Sequence, residues 1–110
     1  MESPRLKRLQ DFLSENPNDA FLNFALAKEY EGLGADDKAL EVYQKLCKEQ
    51  PDYVGTYYHL GKLYEKRGAI EQAFQTYKIG MTVAKTAGDQ HALSELAGAK
   101  LSLGDDEDFE

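Results

Sequence analysis

Tyr57-Tyr58-His59-Leu60-Gly61-Lys62-Leu63-Tyr64 repeats, in altered form, the stretch 34 positions earlier, Asn23-Phe24-Ala25-Leu26-Ala27-Lys28-Glu29-Tyr30. A fainter copy returns 36 positions later, between Leu93 and Lys100. The register extends past these eight residues. Leu26, Ala27, Tyr30, Gly34, Ala39 and Tyr43 recur at +34 as Leu60, Gly61, Tyr64, Gly68, Ala73 and Tyr77. A fixed period of this length marks a repeat architecture built from one supersecondary unit per repeat.

Apolar spacing and punctuation predict six helices joined by short connections, so that neighbours pack antiparallel. Ser3-Pro4 opens the first, with Ser as N-cap and Pro in the first turn; Leu6, Leu9, Phe12 and Leu13 mark its apolar face. Asn16-Pro17-Asn18-Asp19 ends it and caps the second, from about Ala20 to Leu33, which Gly34 closes in a left-handed conformation. Asp36 is expected to cap the third, which carries Ala39, Val42, Tyr43, Leu46 and Cys47 and stops at Gln50-Pro51-Asp52. The fourth runs from about Tyr53 to Arg67 before Gly68. The fifth passes from Ile70 through Phe74 and Tyr77 to Gly88, and Asp89 caps a sixth that ends at Gly104.

The repeated pattern resembles the tetratricopeptide repeat, in which a large aromatic precedes Leu-Gly-x-x-Tyr, then Ala-x-x-x-Phe, then Pro. Here the second copy reads Tyr57-x-x-Leu60-Gly61-x-x-Tyr64 and Ala73-x-x-x-Tyr77. The first reads Asn23-x-x-Leu26-Ala27-x-x-Tyr30, Ala39-x-x-x-Tyr43 and Pro51. The first copy departs from the pattern at Asn23. The second has Lys85 in place of Pro, which predicts a fifth helix about two residues longer. The resemblance implies an all-α fold, a right-handed α-α superhelix of six antiparallel helices. It divides the chain into full repeats at about 20–53 and 54–87, half-repeats at 4–17 and 90–104, and an acidic tail at 105–110 expected to be disordered. Small Ala27, Gly61, Ala39 and Ala73 let paired helices approach, while Tyr30, Tyr43, Tyr64 and Tyr77 are expected to fill gaps between successive pairs.

Composition narrows the function classes. The net charge is −7, but five acidic residues fall among the last six, and the rest of the chain carries only −2. That balance argues against nucleic-acid binding, which needs clustered Lys and Arg. No apolar run reaches membrane-spanning length and no leader is apparent. The single Cys47 fits a reducing compartment and a buried structural thiol. The expectation is a soluble, cytoplasmic protein that touches no membrane. His59 and His91 lack metal-ligand spacing, Gly80 and Gly98 form no phosphate-cradling loop, and no nucleophile–base constellation is present. The reading is therefore a non-enzyme without cofactor or metal.

The resemblance places the first helix of each pair on a concave ligand face. Phe21, Phe24, Lys28, Glu31 and Gly32 come from one copy; Gly55, Tyr58, Lys62, Glu65 and Lys66 from the next; His91, Ser94 and Gly98 from the partial third. Spacing adds that Phe24, Lys28 and Glu31, like Tyr58, Lys62 and Glu65, share a helix face at i, i+4, i+7. The candidate protein- or peptide-binding residues are Phe21, Phe24, Lys28, Glu31, Tyr58, Lys62, Glu65 and Lys66. The bland alternative makes Lys28–Glu31 and Lys62–Glu65 solvated i, i+3 pairs. The expected function is a protein-interaction module, adaptor, scaffold or co-chaperone-like, for a ligand of unknown identity. The carboxylate clamp that grips chaperone C-termini is not matched by Phe24, Lys28, His59, His91 and Glu95. A rival reading is a self-associating structural protein, a homodimer joined through Leu6, Leu9 and Phe12 or Leu93, Leu96 and Leu101. Phe109, set among carboxylates, is a further candidate to dock near Lys28, Lys62 and Lys66.

Overall fold

The computed structural model describes residues 3–109, and among them all regular structure is helical. The chain divides after Gln50 into two compact units. The first holds α1 (Pro4–Glu15), α2 (Ala20–Gly32) and α3 (Asp36–Glu49). The second holds α4 (Gly55–Lys66), α5 (Ile70–Ala87), α6 (Gln90–Leu103) and a terminal 3-10 turn (Asp106–Phe109).

Local chemistry explains most boundaries. The Ser3, Asp19 and Asp89 side chains accept from the backbone N–H of Leu6, Leu22 and Ala92, which satisfies donors left unpaired in the first turns of α1, α2 and α6. The turns that close the two repeated hairpins are the same. Gly34 adopts φ 76°, and the Ala35 N–H reaches back to the Tyr30 carbonyl at 2.8 Å. Gly68 adopts φ 79°, and the Ala69 N–H reaches the Tyr64 carbonyl at 2.9 Å. This left-handed closure favours glycine because a Cβ is strained there. It also corrects one expectation. Asp36 is the first residue of α3 rather than its cap, because the turn delivers the chain into helix directly from Ala35, whose side chain makes no capping bond. Asp36 and Asp37 instead place negative charge at the positive end of the helix.

Proline loss has the expected direction and a larger extent. α5 has 18 residues against 14 in α3, four more rather than two. Asn23, the departure from the aromatic pattern, keeps the tie that its counterpart makes. Its amide donates to the Pro17 carbonyl at 3.0 Å, and the Tyr57 hydroxyl donates to the carbonyl of Pro51, the equivalent proline. A different side chain thus anchors each connection to the helix that follows it.

Each unit has its own core. Leu6, Leu9, Ala27, Ala39, Tyr43 and Leu46 are buried in the first; Tyr57, Leu63, Phe74, Tyr77, Ala84 and Leu96 are among those buried in the second. Fully burying one such large side chain stabilises by about 1.5–3 kcal/mol. Tyr43 and Tyr77 are wholly enclosed and bond within their own hairpins, while Tyr30 and Tyr64 are only half-buried. Two glycines are set by packing. At Gly61 a Cβ would fall on the Tyr77 ring, and at Gly80 it would lie 2.5 Å from the Tyr57 Cβ and 3.1 Å from the Leu96 Cδ1. Gly80 therefore has a packing role that its isolation in the sequence hides.

Candidate functional site

The predicted ligand residues group into two clusters of the same design, one in each unit. In the first, Phe24 on α2 faces Tyr43 on α3, with ring centroids 6.2 Å apart and tilted by 54°. The Lys28 ammonium lies 5.7 Å from the Phe24 centroid, one turn along the helix. The Tyr43 hydroxyl donates to the Glu31 carboxylate. In the second, Tyr58 on α4 faces Tyr77 on α5 at 6.4 Å and 39°. Lys62 lies 5.5 Å from the Tyr58 centroid, and the Tyr77 hydroxyl donates to Glu65.

The geometry separates the candidates by role. Glu31 and Glu65 share a helix face with the rings, as their spacing predicts, but both accept from a buried tyrosine of the following helix. Each thereby clasps its own hairpin, and Glu65 also meets Lys62 at 3.6 Å. Burial, and then the hydrogen bond and charge of the glutamate, push the Tyr43 and Tyr77 hydroxyls far above the ordinary tyrosine value. Both remain neutral donors at physiological pH. Phe24 and Tyr58 are half-buried, each braced on one side by the tyrosine, while Lys28, Lys62 and Lys66 are exposed. An ammonium held near a ring within about 6 Å gains cation–π attraction, about 0.5–1 kcal/mol at an exposed site. The outward-facing product is a braced ring with a lysine beside it, once per unit.

In the first unit this surface is concave. A cleft of about 400 Å³ is lined by Phe21, Phe24, Ala25, Lys28 and Gly32 of α2 together with Arg5 and Glu29. Phe21 is 64% exposed at its rim. Arg5 and Glu29 escape a reading based on the repeat. Glu29 accepts from the Ser3 hydroxyl at 3.0 Å and meets Arg5 at 3.7 Å, which ties α1 to α2 beside the cleft. Only the paired polar residues Ser3 and Arg5 at the head of α1 hint at it in the sequence.

A second cleft of about 480 Å³ lies in the other unit, between Pro51 and Asp52 and the far end of α5, at Thr82, Val83, Thr86 and Ala87. Thr86 and Ala87 belong to the extra turn that follows the loss of proline, so this cleft has no counterpart in the repeat pattern.

The surfaces offered for self-association are reduced. Leu6, Leu9 and Leu96 are buried and Leu93 is half-buried, leaving Phe12 at 54% and Leu101 at 70% exposure on the first and last helices. Among the described residues no cluster of His, Cys, Asp and Glu is arranged to hold a metal ion, and no helix is long and apolar enough to cross a membrane.

The acidic end departs from expectation. Instead of a disordered tail, residues 106–109 form a turn that brings Phe109 to Phe74 on α5. Glu110 of the predicted tail lies outside the described residues.

Comparison with known proteins gives a consistent picture. The family model for the TPR repeat matches residues 27–68. No curated protein matches the chain. Among solved structures, the crystal structure of a tetratricopeptide repeat domain protein from Salinibacter ruber is 44% identical. It superposes with a TM-score of 0.76 over 84% of this chain and 100% of that one. A solution structure of a tetratricopeptide repeat domain protein from the same organism is 46% identical, with a TM-score of 0.77 over 79% and 88%. A solution structure of a Bordetella parapertussis protein is 27% identical, with a TM-score of 0.75 over 94% and 89%.

Proposed function

Because the chain belongs to the tetratricopeptide-repeat family, we propose that it is a protein-interaction module whose ring–lysine pairs, Phe24 with Lys28 in one unit and Tyr58 with Lys62 in the other, each bind a segment of a partner protein. The repeated pair is the observation that carries this reading. Packing of the hairpins uses Tyr43 and Tyr77 with Glu31 and Glu65, and it needs no lysine beside the outer ring. A braced aromatic surface offers an apolar anchor with little entropy left to lose, and the adjacent ammonium favours a carboxylate next to that anchor. The ligand class is thus an acidic segment carrying apolar side chains, with Phe21 and Arg5 extending the cleft in the first unit. An adaptor or scaffold role follows from this chemistry, without catalysis.

The test is a peptide array of acidic-apolar, basic-apolar and neutral segments, probed with the intact chain. Acidic-apolar peptides should be retained preferentially. Lys28→Glu/Lys62→Glu should weaken them about tenfold or more, with an unchanged circular-dichroism spectrum. Equal retention of basic peptides, or no loss on charge reversal, would overturn the reading.

A further inference from the structure

Phe109 lies flat on Phe74, with ring centroids 4.1 Å apart and planes within 14°. The Lys100 ammonium stands 4.9 Å from the centroid of the same Phe74 ring. Three residues before Phe109, Asp106 meets Lys100 at 3.1 Å and Lys78 at 3.9 Å. In a 3-10 turn, residues i and i+3 eclipse, so the carboxylate and the ring leave the backbone on one side. The Asp105 N–H donates to Asp108 Oδ2 at 2.8 Å and closes the turn. Gly104 permits the approach, since its φ is 142° and a Cβ there would lie 2.7 Å from Asp108 Oδ2.

The receiving residues are all departures from the repeat. Leu40 stands where Phe74 does, Gln44 where Lys78 does, and Tyr30 and Tyr64 where Lys100 does. Hairpin packing therefore does not require an aromatic floor flanked by two lysines. The three changes converge on one segment, and they match it in charge and in shape.

We propose that this α5–α6 face is a binding site for an acidic-aromatic segment of a partner protein, with a carboxylate followed three residues later by an aromatic ring, and that the chain's own Asp106–Phe109 turn is a resident occupant which the partner displaces. The site is separate from the ring–lysine pairs on α2 and α4 and does not depend on them. Displacement is feasible because the resident contacts are a single stack and two ion pairs that share one carboxylate, Asp106, whose side chain is more than half exposed, as is that of Lys78, while Lys100 is largely covered. A tethered occupant competes at high effective concentration, so a free segment meets a partly closed site.

The experiment titrates a fluorescent peptide of sequence Gly104–Glu110 into the full chain. Phe109→Ala, which disables the resident segment, should bind the peptide at least tenfold more tightly than wild type. Adding Lys100→Gln should reverse that gain, as should Lys78→Glu on its exposed side chain, and a peptide with Phe replaced by Ala should not bind. In the Lys28→Glu/Lys62→Glu background, where the ring–lysine pairs no longer take acidic peptides, the gain from Phe109→Ala should remain. Equal affinity for wild type and Phe109→Ala would overturn the proposal, as would binding insensitive to both lysine changes or the absence of Phe74–Phe109 nuclear Overhauser contacts in wild type. A wild-type dimer that Phe109→Ala turns into monomer would make a second copy the occupant and would likewise overturn it.

Discussion

Tyr77 lies over Gly61 so closely that α4 has room for nothing larger than hydrogen at that position. The equivalent position of the first repeat carries Ala27, which is fully buried.

Gly61→Ala should therefore destabilise, although alanine is the better helix former by about 1 kcal/mol. The overlap with the Tyr77 ring must be relieved by moving α5, and overpacking costs about 1–3 kcal/mol. Gly61→Leu should be worse, and Ala27→Gly should also lower stability by leaving a gap and loosening the helix. Urea midpoints of the three variants check this. A stabilised Gly61→Ala would mean that the ring has room to retreat.

Gly80 and Gly98 offer a matched pair within one unit. A Cβ at Gly80 meets Tyr57 and Leu96, whereas at Gly98 it meets nothing within 4 Å. Gly80→Ala is expected to cost about 1–3 kcal/mol, and Gly98→Ala to gain about 0.5–1 kcal/mol from helix propensity. Thermal melts should move in opposite directions. Ala73→Glu, which places a charge at a fully buried position, should exceed either effect, by about 4 kcal/mol or more.

Residues repeated at +34 were readable because packing imposes them. Ala39 and Ala73, Tyr43 and Tyr77, and Gly34 and Gly68 each answer a demand that recurs with every hairpin. The spacing of Glu31 and Glu65 puts them on the helix face of Phe24 and Tyr58, but their partners are hidden from it. A helix wheel shows neighbours one turn away, whereas the tyrosine that binds each glutamate sits 12 positions later on another helix. The terminal turn was the least legible. Its acidic composition reads as solvated chain, and the pairing of Phe109 with Phe74 has no periodicity to announce it. Arg5 and Glu29 meet across two helices at positions that the repeated motif leaves unspecified.

The tyrosine–glutamate clasps make the fold sensitive to alkali. Burial, followed by the glutamate's hydrogen bond and charge, raises the Tyr43 and Tyr77 hydroxyls far above their ordinary value of about 10. Unfolded chains release these protons near pH 10, while the folded chain retains them. Their stabilising effect is therefore complete below about pH 10 and declines as pH rises from there toward the folded values, by about 1.4 kcal/mol per pH unit for each tyrosine. Tyr43→Phe/Tyr77→Phe should be less stable at pH 7, because two carboxylates lose their donors, and should show a shallower loss above pH 10. Denaturant titrations at several pH values measure both slopes; parallel slopes for the two proteins would refute the assignment.

The terminal turn should respond at the opposite end of the pH scale. The hydrogen bond from Lys100 holds Asp106 below its ordinary carboxylate value; desolvation opposes it, and the positive charges of Lys100 and then Lys78 add to the lowering. A depressed folded value means that docking is favoured above the unfolded carboxylate value, about 3.9, and that this contribution is lost as pH falls through the folded value. Salt should weaken the docking as well, chiefly through the Lys78–Asp106 pair, in which both side chains are more than half exposed. Ring-current shifts of Phe74 and Phe109 between pH 7 and pH 2 report the docked fraction. Undocking in acid is expected in wild type. Asp106→Asn should start less docked at pH 7 and lose the acid step. A docked fraction that is the same at both pH values would show that the ring stack alone holds the segment.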